Sequence, residues 1–271
     1  MKTKLNSAGI AEYALSLGKK AEDELESKID LNNLLEKTIS LKFTGAINCV
    51  ACNRVIKKSF NQGYCYPCFQ NLAECDMCIV KPELCHYDEG TCRDNDFAAN
   101  YCNIPHSIYL SLTSSVKVGI TRANNEIHRW IDQGAVRAQR LILVGRRKYA
   151  GLIEAELAKT MQDKTDWRKM LKNEYTDTDL FSLSLEILPR IRDLIKDLEL
   201  KEAEIPNTGA AAVEINYPVK EYPKKLNSFN FDKKADLEGT LLGIKGQYLI
   251  FDTGVINIRK FAGYQVSFNI N

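Results

Sequence analysis

The chain has 271 residues, 45% hydrophobic and 27% charged, a composition that excludes wholesale disorder and has room for two or three modules. Its formal charge of +2 conceals a polarised chain: residues 107–172 carry thirteen basic side chains against six acidic ones, a local +7 that leaves the remainder at −5. No run of eighteen apolar residues occurs and the N-terminus has no signal-peptide core, so a membrane partner is excluded and a cytoplasmic location expected.

In chain order, residues 19–29 are charged and suit a helix, whereas 38–43 alternate apolar and polar side chains as a strand does. From Cys49 to His106 the chain is loop-rich and can bury little apolar area, so its order has to come from metal. Residues 107–112 and 116–120 read as a hairpin, followed by helices over 125–140 and 149–162 with a strand at 141–144 between them. A helical stretch over 177–201 contains Pro189, which is expected to kink it or end its first half. After a break at Asn207-Thr-Gly209, strands are expected over 212–217, 237–243, 247–252, 254–258 and 264–269, split by glycine turns at 243–246 and 252–254. The strand at 38–43 has no neighbour before the cysteines, so it is expected to pair with that C-terminal sheet. The resulting class is α+β, divided as 1–48 (a segment whose strand joins the C-terminal sheet), 49–106 (cysteine-rich), 107–173 (an α/β core), 174–205 (helical linker) and 206–271 (a small β module).

All nine cysteines fall within 54 residues, and in a reducing compartment such a cluster points to metal rather than disulfides. Cys49-x2-Cys52 and Cys65-x2-Cys68 have zinc-ribbon spacing, because each C-x2-C knuckle sets two thiolates at adjacent corners of a tetrahedron. A second set follows in Cys75, Cys78, Cys85, Cys92, Cys102 and His106, with His86 also in range, which is more donors than one ion needs. At least two Zn2+ ions are expected, both structural, since four protein ligands leave no open position. His128 has no cysteine near it and reads as an ordinary histidine.

Tyr109, then Lys117-Val-Gly-Ile-Thr121, then Arg129 and Glu154 resemble the GIY-YIG endonuclease core, in which two short strands carry tyrosines, one helix an arginine and a later helix a metal-binding glutamate. Tyr109 matches the first tyrosine, Gly119 the glycine of the second motif, Arg129 the arginine and Glu154 the glutamate. Lys117 stands where the second tyrosine is expected, the pattern of the KIG-T branch, and Thr165, Asp166 and Trp167 resemble that branch's terminal acidic-aromatic element. The resemblance implies Tyr109 to activate water, Arg129 to stabilise the leaving phosphate and Glu154 to hold Mg2+ or Mn2+. Lys117 supplies charge but is a poor base at its ordinary pKa. Further phrases, among them Gln62-Gly-Tyr-Cys-Tyr-Pro-Cys68, Arg129-Trp-Ile-Asp-Gln-Gly-Ala135 and Gly243-Ile-Lys-Gly-Gln-Tyr-Leu249, resemble an uncharacterised bacterial family, a domain of unknown function, from about residue 38 onward.

These readings converge on a zinc-stabilised nucleic-acid-binding protein, with DNA and RNA not distinguished and phosphodiester cleavage as its catalytic version. Tyr64, Tyr66, Phe69 and Tyr101 among the cysteine loops suit stacking on bases as well as packing. The alternative is a structural scaffold that grips a protein partner through its zinc knuckles and C-terminal strands.

Overall fold

The structure is a computed structural model that describes residues 1–17, 27–161, 165–200, 203 and 211–271. The expected helix over 19–29 and the break at 207–209 lie wholly or largely outside the described residues. In chain order the chain forms β1 (Lys2–Leu5), β2 (Ala11–Leu17), β3 (Ser27–Asp30), β4 (Thr38–Asn48) and β5 (Val55–Ile56). The short helices α1 (Tyr66–Asn71), α2 (Met77–Val80) and α3 (Asn95–Phe97) punctuate the cysteine region. Then come β6 (His106–Leu112), β7 (Val116–Arg122), α4 (Glu126–Asp132), β8 (Arg137–Val144), α5 (Arg147–Ala158), α6 (Trp167–Leu171) and α7 (Leu180–Asp197). The C-terminal part holds β9 (Val213–Glu214), β10 (Asp236–Lys245), β11 (Tyr248–Phe251), β12 (Gly254–Asn257) and β13 (Tyr264–Ile270). The class is α+β.

Three antiparallel sheets result among the described residues: β1-β2-β3, then β12-β11-β10-β4-β13 with β5 paired to β4, and β7-β6-β8-β9. β4 pairs with β10 from Ile39↔Gly239 to Lys42↔Asp236 and with β13 from Ile39↔Ile270 to Ile47↔Tyr264, so the strand before the cysteines is the centre of the C-terminal sheet. It is held there by burial of alternate residues Ile39, Leu41 and Ile47. The N-terminal sheet shares that core through Ala11 and Tyr13, and α4 enters it from the other side through Trp130 and Ile131. Lys245 is fully buried, donating from Nζ to Asn173 Oδ1 at 2.6 Å with the Tyr217 and Tyr222 rings beneath it, and burial brings its pKa down to about 7.

β6 is central in the third sheet and every one of its side chains is buried. Ile108, Leu110 and Leu112 face the core made by α5 and α7, while Tyr109 faces α4 and joins the other core. A strand covered on both faces reads as a continuous apolar run rather than an alternation.

Two elements differ from the sequence reading. The helix expected over 125–140 stops at Asp132, because Gly134 takes a left-handed φ of 74° and the Gly134 and Ala135 N–H groups close back on Ile131 and Trp130, after which Arg137 begins β8. Pro189 lies inside an unbroken α7. Its face is solvent-exposed, as is Leu185 one turn earlier, so the carbonyl that the proline leaves without a donor is hydrated rather than stranded. Among the described residues no helix is long and apolar enough to cross a membrane.

Candidate functional site

Cys49, Cys52, Cys65 and Cys68 bring their sulfurs within 4.8 Å of one another. The sulfurs of Cys52 and Cys65 are 3.8 Å apart, the edge expected of a tetrahedron built on Zn–S bonds of about 2.3 Å, so the set can hold a zinc ion. The local backbone is built for thiolates. Burial opposes the charged form of Cys49, but N–H groups of Cys52, Cys65 and Ala51 outweigh it and bring the thiol down to about 6. Asn53, Asn61 and Gln62 adopt left-handed φ in the turns that close the two knuckles, and Gly63 packs so tightly on Val50 that a Cβ there would sit 2.5 Å from Val50 Cγ1.

The second set divides. Cys78, Cys85, Cys92 and Cys102 line one small cavity together with Asp76, His86 and Arg93. Cys75 is buried apart from it: its thiol is hydrogen-bonded by the Asn61 side chain, within the electrostatic influence of Cys49. His106 is buried in β6, with Nδ1 at 2.8 Å from the Ile104 carbonyl, and burial brings its pKa down to about 4. The structure therefore brings neither Cys75 nor His106 to the cavity lined by the other four cysteines. His128 meets the Thr3 hydroxyl at 3.2 Å.

The hairpin β6-β7 fixes the other candidate residues. Tyr109 lies opposite Gly119 and Ser111 opposite Lys117, so Tyr109 and Lys117, two positions along, point to the same side of the sheet. Gly119 is required there: a Cβ would stand 2.7 Å from the Tyr109 hydroxyl, because the ring lies across it. Trp130 packs edge-on against the same ring at 5.8 Å. With its amide oxygen toward Arg129, Gln133 accepts from Nε at 3.0 Å and Nη2 at 3.2 Å, and its amide nitrogen donates to the Tyr109 hydroxyl at 3.1 Å. Tyr109 thus holds Gln133, which holds Arg129.

Glu154, half-buried on α5, feels the charges of Arg129, Arg147, Glu83 and Lys117. Burial raises its pKa to about 7 despite the cations, and Glu83 adds to the rise. Burial lowers the pKa of Arg147, which donates to the Ile79 carbonyl at 2.7 Å. Tyr109 is fully buried, and burial raises its hydroxyl pKa, with Arg129 opposing and Glu154 adding. A phenol in that position is a proton donor and not a base.

The sign of the Glu154 shift sets a pH dependence. The folded state holds the proton more tightly than the unfolded one, so stability is highest at low pH, falls as pH rises from the ordinary 4.5 to about 7, and stays lowered above that. Glu154→Gln removes this cost. The variant is expected to exceed wild type in stability near pH 8, by at most about 3 kcal/mol, and to match it near pH 4, as read from urea midpoints at the two values.

Much of the basic segment is engaged. Arg140 grips Glu126 with two bonds of 2.6 and 2.7 Å, Arg146 and Lys148 share Asp88, and Arg137 pairs with Asp177 and Glu214. Arg122 lies over the Tyr101 ring at 4.0 Å, so one of the aromatics that suits base stacking carries a cation instead. Tyr66 stays exposed beside Phe60. Asp166 caps α6 through the Arg168 and Lys169 N–H groups and Trp167 stacks on Tyr248, so the acidic-aromatic element fastens α6 to β11.

Sequence reasoning missed Gln133 and Arg147. Gln133 sits one helical turn beyond Arg129, a spacing that signals a possible side-chain pair, whereas Arg147 is marked by nothing but the approach of the chain around Ile79.

No curated protein matches the chain, and no solved structure does. A family model described as a protein of unknown function (DUF2797) matches residues 36–266.

Proposed function

The chain belongs to that family, DUF2797, whose description names no activity, and from its own residues we propose that it is a zinc-stabilised nucleic-acid-binding protein on a GIY-YIG-like core. The carrying observation is the gathering of Lys117, Arg129 and Arg147, from β7, α4 and α5, around the single carboxylate of Glu154. Three cations beside one acid suit a phosphodiester, and Arg129, oriented by Gln133, presents a guanidinium to two phosphate oxygens. With its pKa near 7, Glu154 is in part protonated at neutral pH and donates a hydrogen bond to a phosphate oxygen instead of repelling it. The order strand, strand, helix, strand, helix over β6 to α5 supports the GIY-YIG-like reading. Zinc at Cys49, Cys52, Cys65 and Cys68 is structural in this reading, since four thiolates close the coordination shell.

A second reading has the same site cleave phosphodiesters. It is favoured by Glu83 beside Glu154, two carboxylates that can share a Mg2+ or Mn2+ ion. Burial of Tyr109 disfavours it, because an enclosed phenol of raised pKa cannot take a proton from water. The experiment for the first reading is titration of labelled duplex DNA and single-stranded RNA at several salt concentrations. Binding is expected to weaken linearly on a log–log plot, by about 0.9 per phosphate contact on a duplex. A salt-independent or absent response supports the scaffold alternative instead.

A further inference from the structure

The cavity in the cysteine region carries an assignment that spacing alone does not reach. Its volume is about 20 Å³, space for an atom rather than a ligand, and Cys78, Cys85, Cys92 and Cys102 all line it. The four come from separate places: Cys78 from α2, Cys85 from the turn after Pro82–Leu84, Cys92 from the loop after Gly90, and Cys102 from the end of the Ala98–Cys102 turn. Nothing but a shared ligand gives four distant thiols a reason to face one small space in a segment with so little apolar core.

We propose that Cys78, Cys85, Cys92 and Cys102 bind a second zinc ion as an all-thiolate tetrahedral site, with Cys75 and His106 outside it. The rival donor set is Asp76, Cys78 and His86, whose donor atoms lie within 4.8 Å of one another. Its oxygens and nitrogens are already engaged. Asp76 caps α2 through the Cys78 N–H and pairs with Arg93 Nε at 2.7 Å, while His86 Nδ1 meets the Thr91 hydroxyl at 2.7 Å. A metal there breaks the Arg93 pair and the cap, whereas the thiols have no comparable partners to lose; the sulfur of Cys92 makes one weak contact to the Asp94 carbonyl at 3.4 Å. Asp76, His86 and Arg93 then form the hydrogen-bonded frame around the ion, and Arg93 and the buried Arg147 offset the double negative charge of a four-thiolate zinc centre.

The ion has a mechanical role. Between Cys78 and Cys85 the chain straps across α5: Ile79 accepts from Arg147, and Pro82 and Glu83 press on Gly151 so closely that a Cβ there would lie 2.4 Å from Pro82 Cβ and 2.8 Å from the Glu83 nitrogen. Zinc bound at both ends of the strap holds Glu83 beside Glu154.

The test is the zinc-to-protein ratio of the full chain by elemental analysis, read without nucleic acid and so independent of whether the protein binds it. Wild type and Cys75→Ser are expected to hold two ions, as is His86→Gln, and each of Cys78→Ser, Cys85→Ser, Cys92→Ser and Cys102→Ser to hold one. Where a variant is insoluble, cobalt-substituted wild type decides: two ions, each with the intense visible bands of tetrahedral thiolate cobalt and four-sulfur charge transfer, support the assignment. A wild-type ratio of one, a loss on Cys75→Ser, or a loss on His86→Gln with Cys92→Ser unaffected overturns it.

Discussion

Replacing Cys49 by serine is expected to cost one zinc ion and the structure of residues 49–68 with it. Structural zinc sites supply folding free energy on the order of 10 kcal/mol, and little else orders this segment. β5 is two residues long, and the ring cluster of Phe60, Tyr66 and Phe69 is half open to solvent. The damage will reach the C-terminal sheet. Asn48 donates to the Gly263 carbonyl at 2.8 Å, Gln62 accepts from Arg259 at 2.9 Å, and Gly263 leaves only 2.3 Å between a would-be Cβ and the Asn48 carbonyl, so the knuckles are fitted to the loop before β13. Elemental analysis should show one ion fewer, and limited proteolysis should open the chain between residues 49 and 68 first. Retention of the full zinc content would mean that Cys49 is not a ligand.

Tyr109 should separate packing from positioning. Tyr109→Ala removes a fully buried ring between Gly119 and Trp130 and is expected to cost about 3–5 kcal/mol, the usual price of an aromatic cavity. Tyr109→Phe keeps the ring and loses the bond to Gln133, a change of about 1 kcal/mol in stability. In the phenylalanine variant Gln133 no longer has a fixed partner, Arg129 loosens, and nucleic-acid affinity should drop while the urea midpoint scarcely moves. Equal losses of affinity and stability would make Tyr109 a core residue with no part in the site.

What the sequence revealed follows from how local each signal is. The alternation over 38–43 marked β4, and its lack of a neighbour pointed to the C-terminal strands that flank it. Tyr109, Lys117, Arg129 and Glu154 were legible through a resemblance in order and spacing, and the β6-β7 register then put Tyr109 and Lys117 on one side. β1 and β2 escaped notice because they are short strands whose burial depends on the distant Asn216 and on the C-terminal core. Charge counting within 107–172 overstated the free basic surface, since Asp88, Asp177 and Glu214, which neutralise much of it, lie elsewhere in the chain. Cys75 and Cys78 looked like one knuckle by spacing, yet between them Asp76 starts α2 and turns the two thiols toward different neighbours.

The central claim is that Lys117, Arg129 and Arg147 contact a nucleic-acid backbone around Glu154. The most direct measurement is the salt dependence of binding for wild type beside Arg129→Ala, with labelled duplex DNA and single-stranded RNA. Wild type is predicted to bind at low salt and weaken steeply as salt rises; Arg129→Ala is predicted to bind more weakly with a slope shallower by about one, the mark of a lost phosphate contact. Absence of saturable binding at low salt, or an Arg129→Ala slope equal to that of wild type, would contradict it.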